Sequence, residues 1–332
     1  MSKKRKKLSR DQKRKGKLAK RNDKKKKLVQ RQERAAWIER QASLAANVLI
    51  RQFNAMWSPE KIDVMGTEAI IAKLRTLGIE FDQQEFLAAA PNVYQPMELA
   101  DHLWPEQSEK IEGVDADFPW MAAEILWKRL CPEILHTDAI IGGIDEGDAH
   151  MQRNDNRAAC DSWLQTWELL KNRFLDGADS IEIVEKRVGD YYSVTSWLAD
   201  VESELAMLAP EDPVYLQKRL TFCQEYCALL PASPYRNLKQ MFLGIADSYF
   251  LLGNAEAGEA ALDELERKFP DSRWDIECIR GTLWSDPDWE SIPADPHKAM
   301  EHYRNAAQLA PPDEVDSIQD RIDELAEDMA TQ

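Results

Sequence analysis

The apolar residues of this 332-residue chain recur at helical spacing from Trp37 onward and are almost missing before it. That break separates the part that can bury a core from the part that cannot. Residues 1–27 carry 16 Lys or Arg, and their only sizeable apolar side chains are Met1, Leu8 and Leu18. So little apolar surface cannot offset the entropy of ordering the backbone, and like charges at helical spacing repel one another. The sequence therefore predicts a basic, largely disordered arm over 1–40, with 19 basic residues against four acids, a net +15. Taken from chain totals of 43 basic and 59 acidic residues, this leaves 24 and 55 in 41–332, a net −31.

A cationic arm of this kind neutralises phosphates and releases their counterions, which gives salt-sensitive, sequence-independent affinity for nucleic acid. The candidate contacts with RNA or DNA are Lys3, Lys4, Arg5, Lys6, Lys7, Arg10, Lys13, Arg14, Lys15, Lys24, Lys25, Lys26 and Lys27, with the ribosome among the expected targets. No aromatic residue precedes Trp37, so the arm has no platform for stacking bases and is expected to hold the backbone instead. The alternative is an arm that docks on its own or a partner's acidic surface. In a eukaryote the same basic blocks would read as nuclear localisation signals. A membrane anchor needs an apolar face that this stretch lacks, and no run in the chain approaches 18 consecutive apolar residues. There is no apolar stretch after the first basic residues of the kind a secretory signal needs. The five cysteines, odd in number and without short regular spacing, read as reduced core thiols. A cytoplasmic protein is expected.

The body reads as all-α. A helix is expected over 30–57, from the spacing of Trp37, Ile38, Leu44, Val48, Leu49, Phe53 and Met56. Ser58-Pro59 reads as an N-cap with a first-turn proline, 67–77 as a helix stopped by Gly78, and Asp82 to Glu85 as a capping box. The acidic, Pro- and Gly-containing stretch 105–117 places a boundary near 112, between a helical region at 41–112 and a longer one at 113–332. Further helices are predicted at 118–130, at 155–175 with Ala159, Trp163, Trp167 and Leu170 on one face, and at 194–208, 213–230 and 236–252. A short strand at 180–184 is the one competing element. The end of the chain reads as a solubilising cap, with Val315, Ile318, Ile322, Leu325 and Met329 in one stripe and eight acids against one Arg in 313–332.

Within the body, residues 239–272 form a unit of 34 positions. Phe242, Ile245, Ala246 and Tyr249 stand at large-large-small-large positions of a first helix, Gly253 turns the chain, and Gly258, Leu262 and Leu265 mark a second helix before Pro270. Ala299, Tyr303, Ala306 and Pro311 repeat the second-helix pattern after a first helix at 273–284 and an insertion near 285–295. Residues 194–231 form a more degenerate unit. This pattern resembles the tetratricopeptide repeat, over 118–332. The resemblance implies antiparallel helix pairs in a right-handed solenoid, here with Gly258 in place of the usual alanine. More narrowly, Cys160 to Glu168, Trp197-Leu198-Ala199-Asp200, Arg219 to Cys223 and Ile245 to Tyr249 are similar to the helical region of bacterial proteins that carry a SEC-C motif. The Cys-rich SEC-C cluster is not in this sequence, so neither zinc nor a SecB-type partner carries over.

Tetratricopeptide arrays bind peptides or proteins in the groove lined by their first helices. In register, the resemblance points to Gln240, Leu243, Asp247 and Phe250 as a partner groove. Asp247 stands where the chaperone-binding versions have Asn, which argues against an acidic peptide terminus and for a basic or mixed partner. The alternative is that Leu243 and Phe250 pack against the next repeat. Elsewhere, chemistry is thinly signalled. Cys223 and Cys227 are four apart without a second ligand pair, and the five histidines form no zinc helix. Gly142 to Gly147 lacks the Lys-Ser/Thr ending of a phosphate loop and reads as a turn between helices. Asp286, Asp288 and Glu290 lack the central Gly and terminal Glu of a calcium loop and read as solvated acids. The expectation is a non-enzymatic adaptor without metal or cofactor. Its arm would bind nucleic acid and its body a protein partner.

Overall fold

The computed structural model describes residues 56–189, 192–285 and 292–331. The basic arm, the 30–57 helix up to residue 55, and Asp286, Asp288 and Glu290 lie outside the described residues. Every regular element among the described residues is a helix. These form two compact units, one from the described part of Met1–Asp82 with Ala100–Arg129, the other from Gln83–Leu99 with Leu130–Gln332. The chain thus passes between units at 82, 99 and 129, where the sequence suggests one boundary near 112.

In the first unit, α1 (Pro59–Asp63) is capped by Ser58, whose side chain accepts from the Lys61 amide, and Pro59 supplies a first-turn φ without losing a helical hydrogen bond. Next comes α2 (Thr67–Thr76), ending before Gly78 as its spacing predicts. Ile62, Ile70, Leu74 and Phe118 are fully buried. Arg129, near the end of α6, donates to the carbonyls of Asp63 and Met65 at 2.6 and 2.8 Å and so satisfies acceptors left over where α1 ends. The chain then forms α3 (Gln83–Ala89) and the first half of α4 (Pro96–Leu103) in the second unit, before returning to the first for the rest of α4, α5 (Pro105–Ser108) and α6 (Phe118–Leu130) up to Arg129.

The second unit continues through α7 (Thr137–Met151), α8 (Asn156–Arg173), α9 (Ile181–Val188), α10 (Val194–Leu208) and α11 (Pro213–Leu229). It ends with α12 (Tyr235–Leu251), α13 (Ala255–Lys268), α14 (Arg273–Ser285), α15 (Pro296–Leu309) and α16 (Val315–Thr331). Neighbouring helices pack in order from α9 to α16, and α7 packs on α8. Alternate helices α8, α10, α12 and α14 also touch one another in succession. One continuous apolar core runs from Ile140 and Ile144 of α7 to Ile276, Ile279 and Leu283 of α14. Ala159, Trp163, Trp167 and Leu170 are buried together in it, on the face their spacing predicts. Ile318 and Leu325 bury the stripe of α16 against α14 and α15.

One local expectation is corrected and one alternative is set aside. Residues 181–188 are helix α9, in line with the all-α reading and not with the competing strand: Ile181, Val184 and Val188 recur at three- and four-residue intervals and are all buried, a pattern a two-residue period would split between faces. Residues 142–147 lie inside α7, not in a turn. Gly143 and Gly147 serve helix packing. A Cβ on Gly143 would stand 2.1 Å from the Thr166 hydroxyl, and one on Gly147 would stand 2.1 Å from the Trp163 indole nitrogen. Only bare backbone lets α7 come this close to α8.

Candidate interaction site

The residues expected to line a partner groove sit on α12, and three of the four are already engaged. Gln240 donates through Nε2 to the Ala199 carbonyl and to Glu202 Oε2, both at 3.0 Å. Asp247 accepts from the guanidinium of Arg219, whose Nε and Nη2 also donate to Glu202 Oε1 at 3.0 and 2.7 Å. Arg219 is only 4% exposed and Glu202 only 6%, so α10, α11 and α12 are joined by a buried ion triad. Burial alone would lower the guanidinium pKa, but Asp247 and Glu202 outweigh it and hold it above its ordinary value. Phe250 is fully buried, edge-on to Trp284 with ring centroids 5.2 Å apart. It packs inside the array and presents no surface to a partner. A Cβ on Gly258 would stand 2.7 Å from the Phe250 ring, so the missing alanine makes room for this side chain. Leu243 is half-buried against the core.

A different arrangement recurs across both units: an aromatic polar atom and a lysine share one carboxylate. Trp57 Nε1 donates to Asp115 at 2.7 Å, and Lys73 Nζ lies 2.9 Å from the same oxygen and 5.7 Å from the Trp57 ring centre. Trp167 and Lys171 meet on Glu225 Oε2 at 2.8 and 2.6 Å. Trp284 and Lys298 meet on Glu259 Oε1 at 2.5 and 3.3 Å, with Lys298 Nζ 3.6 Å from the Trp284 ring centre. Tyr215 and Lys218 share Asp161 Oδ1 at 3.2 and 2.5 Å, and Tyr235 and Lys239 share Asp275. Each carboxylate is satisfied by a neutral donor and a cation, and in four of the five the cation also lies over the ring that supplies the donor. The Trp57 indole, followed by Lys73, holds Asp115 below the ordinary carboxylate range.

Two further aromatic–carboxylate pairs, Trp120 with Asp101 at 2.8 Å and Tyr192 with Asp148, are joined by no lysine among the described residues. Tyr192 donates to Asp148 Oδ2 at 2.5 Å, and Asp148 opens into a cleft of about 350 Å³. The cleft is lined by Asp148 and Met151 of α7, Gln152 just beyond it, Trp163 of α8, and Asp200, Ser203 and Glu204 of α10. Glu204 accepts from Asn156 at 2.9 Å, and neither Lys nor Arg lines the cleft among the described residues. Burial, with the charge of Asp148 added, raises Asp200 above the ordinary carboxylate value. The hydrogen bond to Asp148 likewise pushes the Tyr192 hydroxyl up. This site depends on the glycines of α7, because the close approach of Gly147 to Trp163 sets one wall beside the other. Sequence reading missed it by taking Gly142 to Gly147 for a turn. Asp148 directly follows that cluster, and Asp200 closes the Trp-Leu-Ala-Asp segment.

The thiols are poorly placed for nucleophilic or metal chemistry. Burial pushes Cys160 and Cys227 up to about 12, Cys131 and Cys278 up to about 11, and Cys223 well above the ordinary thiol value. Among the described residues no three His, Cys, Asp or Glu side chains converge as metal ligands, and no helix is long and apolar enough to cross a membrane. Comparison with protein-family models, with curated proteins and with solved structures found no match to this chain.

Proposed function

We propose that this protein is a non-enzymatic adaptor: the basic segment 1–40 binds the phosphate backbone of RNA or DNA, and the acidic helical body binds a protein partner. The observation that carries this reading is the segregation of charge, +15 in 1–40 against −31 in 41–332. Ribosomal RNA is a fitting target, since affinity through the backbone needs many phosphates and no particular sequence. The body is read as a tetratricopeptide-like right-handed solenoid acting in the cytoplasm. Supporting the solenoid are the 34-residue unit that falls on α12 and α13, and the contacts between alternate helices α8, α10, α12 and α14. The non-enzymatic reading is supported by thiols whose pKa values burial raises above the ordinary thiol value.

The test compares the full chain with a form lacking residues 1–40, each titrated with ribosomes, RNA and duplex DNA at low and near-physiological salt. Binding by the full chain alone should weaken by roughly 0.9 log unit per decade of salt for each duplex phosphate contacted. Equal binding by both forms, or none by either, would refute the nucleic-acid part.

A further inference from the structure

We draw no further inference here: the strongest candidate, the groove of about 390 Å³ between α11, α12 and α13 that Phe242 and Ile245 floor and Ala228, Ala257 and Ala261 wall, carries nothing because nothing in the structure shows what covers it.

Discussion

Gly147 and Trp163 approach so closely that a Cβ on the glycine would stand 2.1 Å from the indole nitrogen. Trp163 cannot swing away at low cost, because it is only 3% exposed and its Nε1 donates to the Ile144 carbonyl at 3.2 Å. Replacement by alanine would improve helix propensity by about 1 kcal/mol, but overpacking at a rigid indole opposes it by about 1–3 kcal/mol or more. Gly147→Ala is therefore expected to lower the denaturation midpoint. It should also disturb the cleft, seen as a change in tryptophan fluorescence. An unchanged or raised midpoint would show that α7 can shift without loss.

Arg219 is the shared partner of Glu202 and Asp247. Its removal leaves two carboxylates facing each other in a largely buried site, so Arg219→Met should destabilise by about 3–5 kcal/mol. A triple variant, E202L/R219M/D247L, should lose much less, because no uncompensated charge remains. Urea titrations of the two proteins decide the matter. Equal losses would mean that packing, not charge, makes the site matter.

Acid should weaken the packing of α13, α14 and α15. Burial alone would raise Glu277, but His302 and Arg280 hold it below the glutamate value of 4.5. Burial would raise Glu259 likewise, but Trp284, Lys298 and Arg280 hold it below that value. A carboxylate depressed in the folded state contributes its stability above the unfolded value and loses it as pH falls through the folded one. Unfolding free energy should therefore decline below about pH 4.5, and the decline should be shallower in Glu277→Gln, which has already lost the contribution at neutral pH. Parallel curves for the two proteins between pH 5 and 3 would assign the acid sensitivity elsewhere.

Arg173 closes α8 onto an earlier stretch of its own unit, donating to the carbonyls of Ala90, Val93 and Leu135. These acceptors have no such partner if the guanidinium is removed. Arg173→Met should speed amide exchange over 89–95 and 134–138 while leaving α12 to α15 unchanged. Uniform loss of protection across the unit would indicate global destabilisation instead.

Much of the helical pattern was legible in the chain itself. The spans 118–130 and 194–208 match α6 and α10 to the residue, because apolar spacing, caps and prolines are local signals. Local signals were ambiguous at two places. Ile181 to Val184 is β-branched-rich enough to pass for a strand until the burial of Val188 sets the period. The run Gly142 to Gly147 has turn composition yet is helical, and at Gly143 and Gly147 the space where side chains would stand is occupied by Thr166 and Trp163, about twenty residues away.

The sequence alone determined that the described part of the body is helical, that the first 40 residues carry a segregated positive charge, and that the body is strongly acidic. These properties follow from residue type and short-range spacing. Tertiary structure decided which acids are neutralised and which are not. Asp247 and Asp200 both lie on packed helices of the second unit, yet one pairs with Arg219 while the other lines a cleft that Asp148 and Glu204 also line. Pairing of charges depends on distances across helices, which spacing along one helix does not encode. Phe250, which by register belongs to a groove, is drawn into the core by the room left at Gly258. The cleft beside Trp163 exists for the same reason: two helices approach as closely as their smallest residues allow.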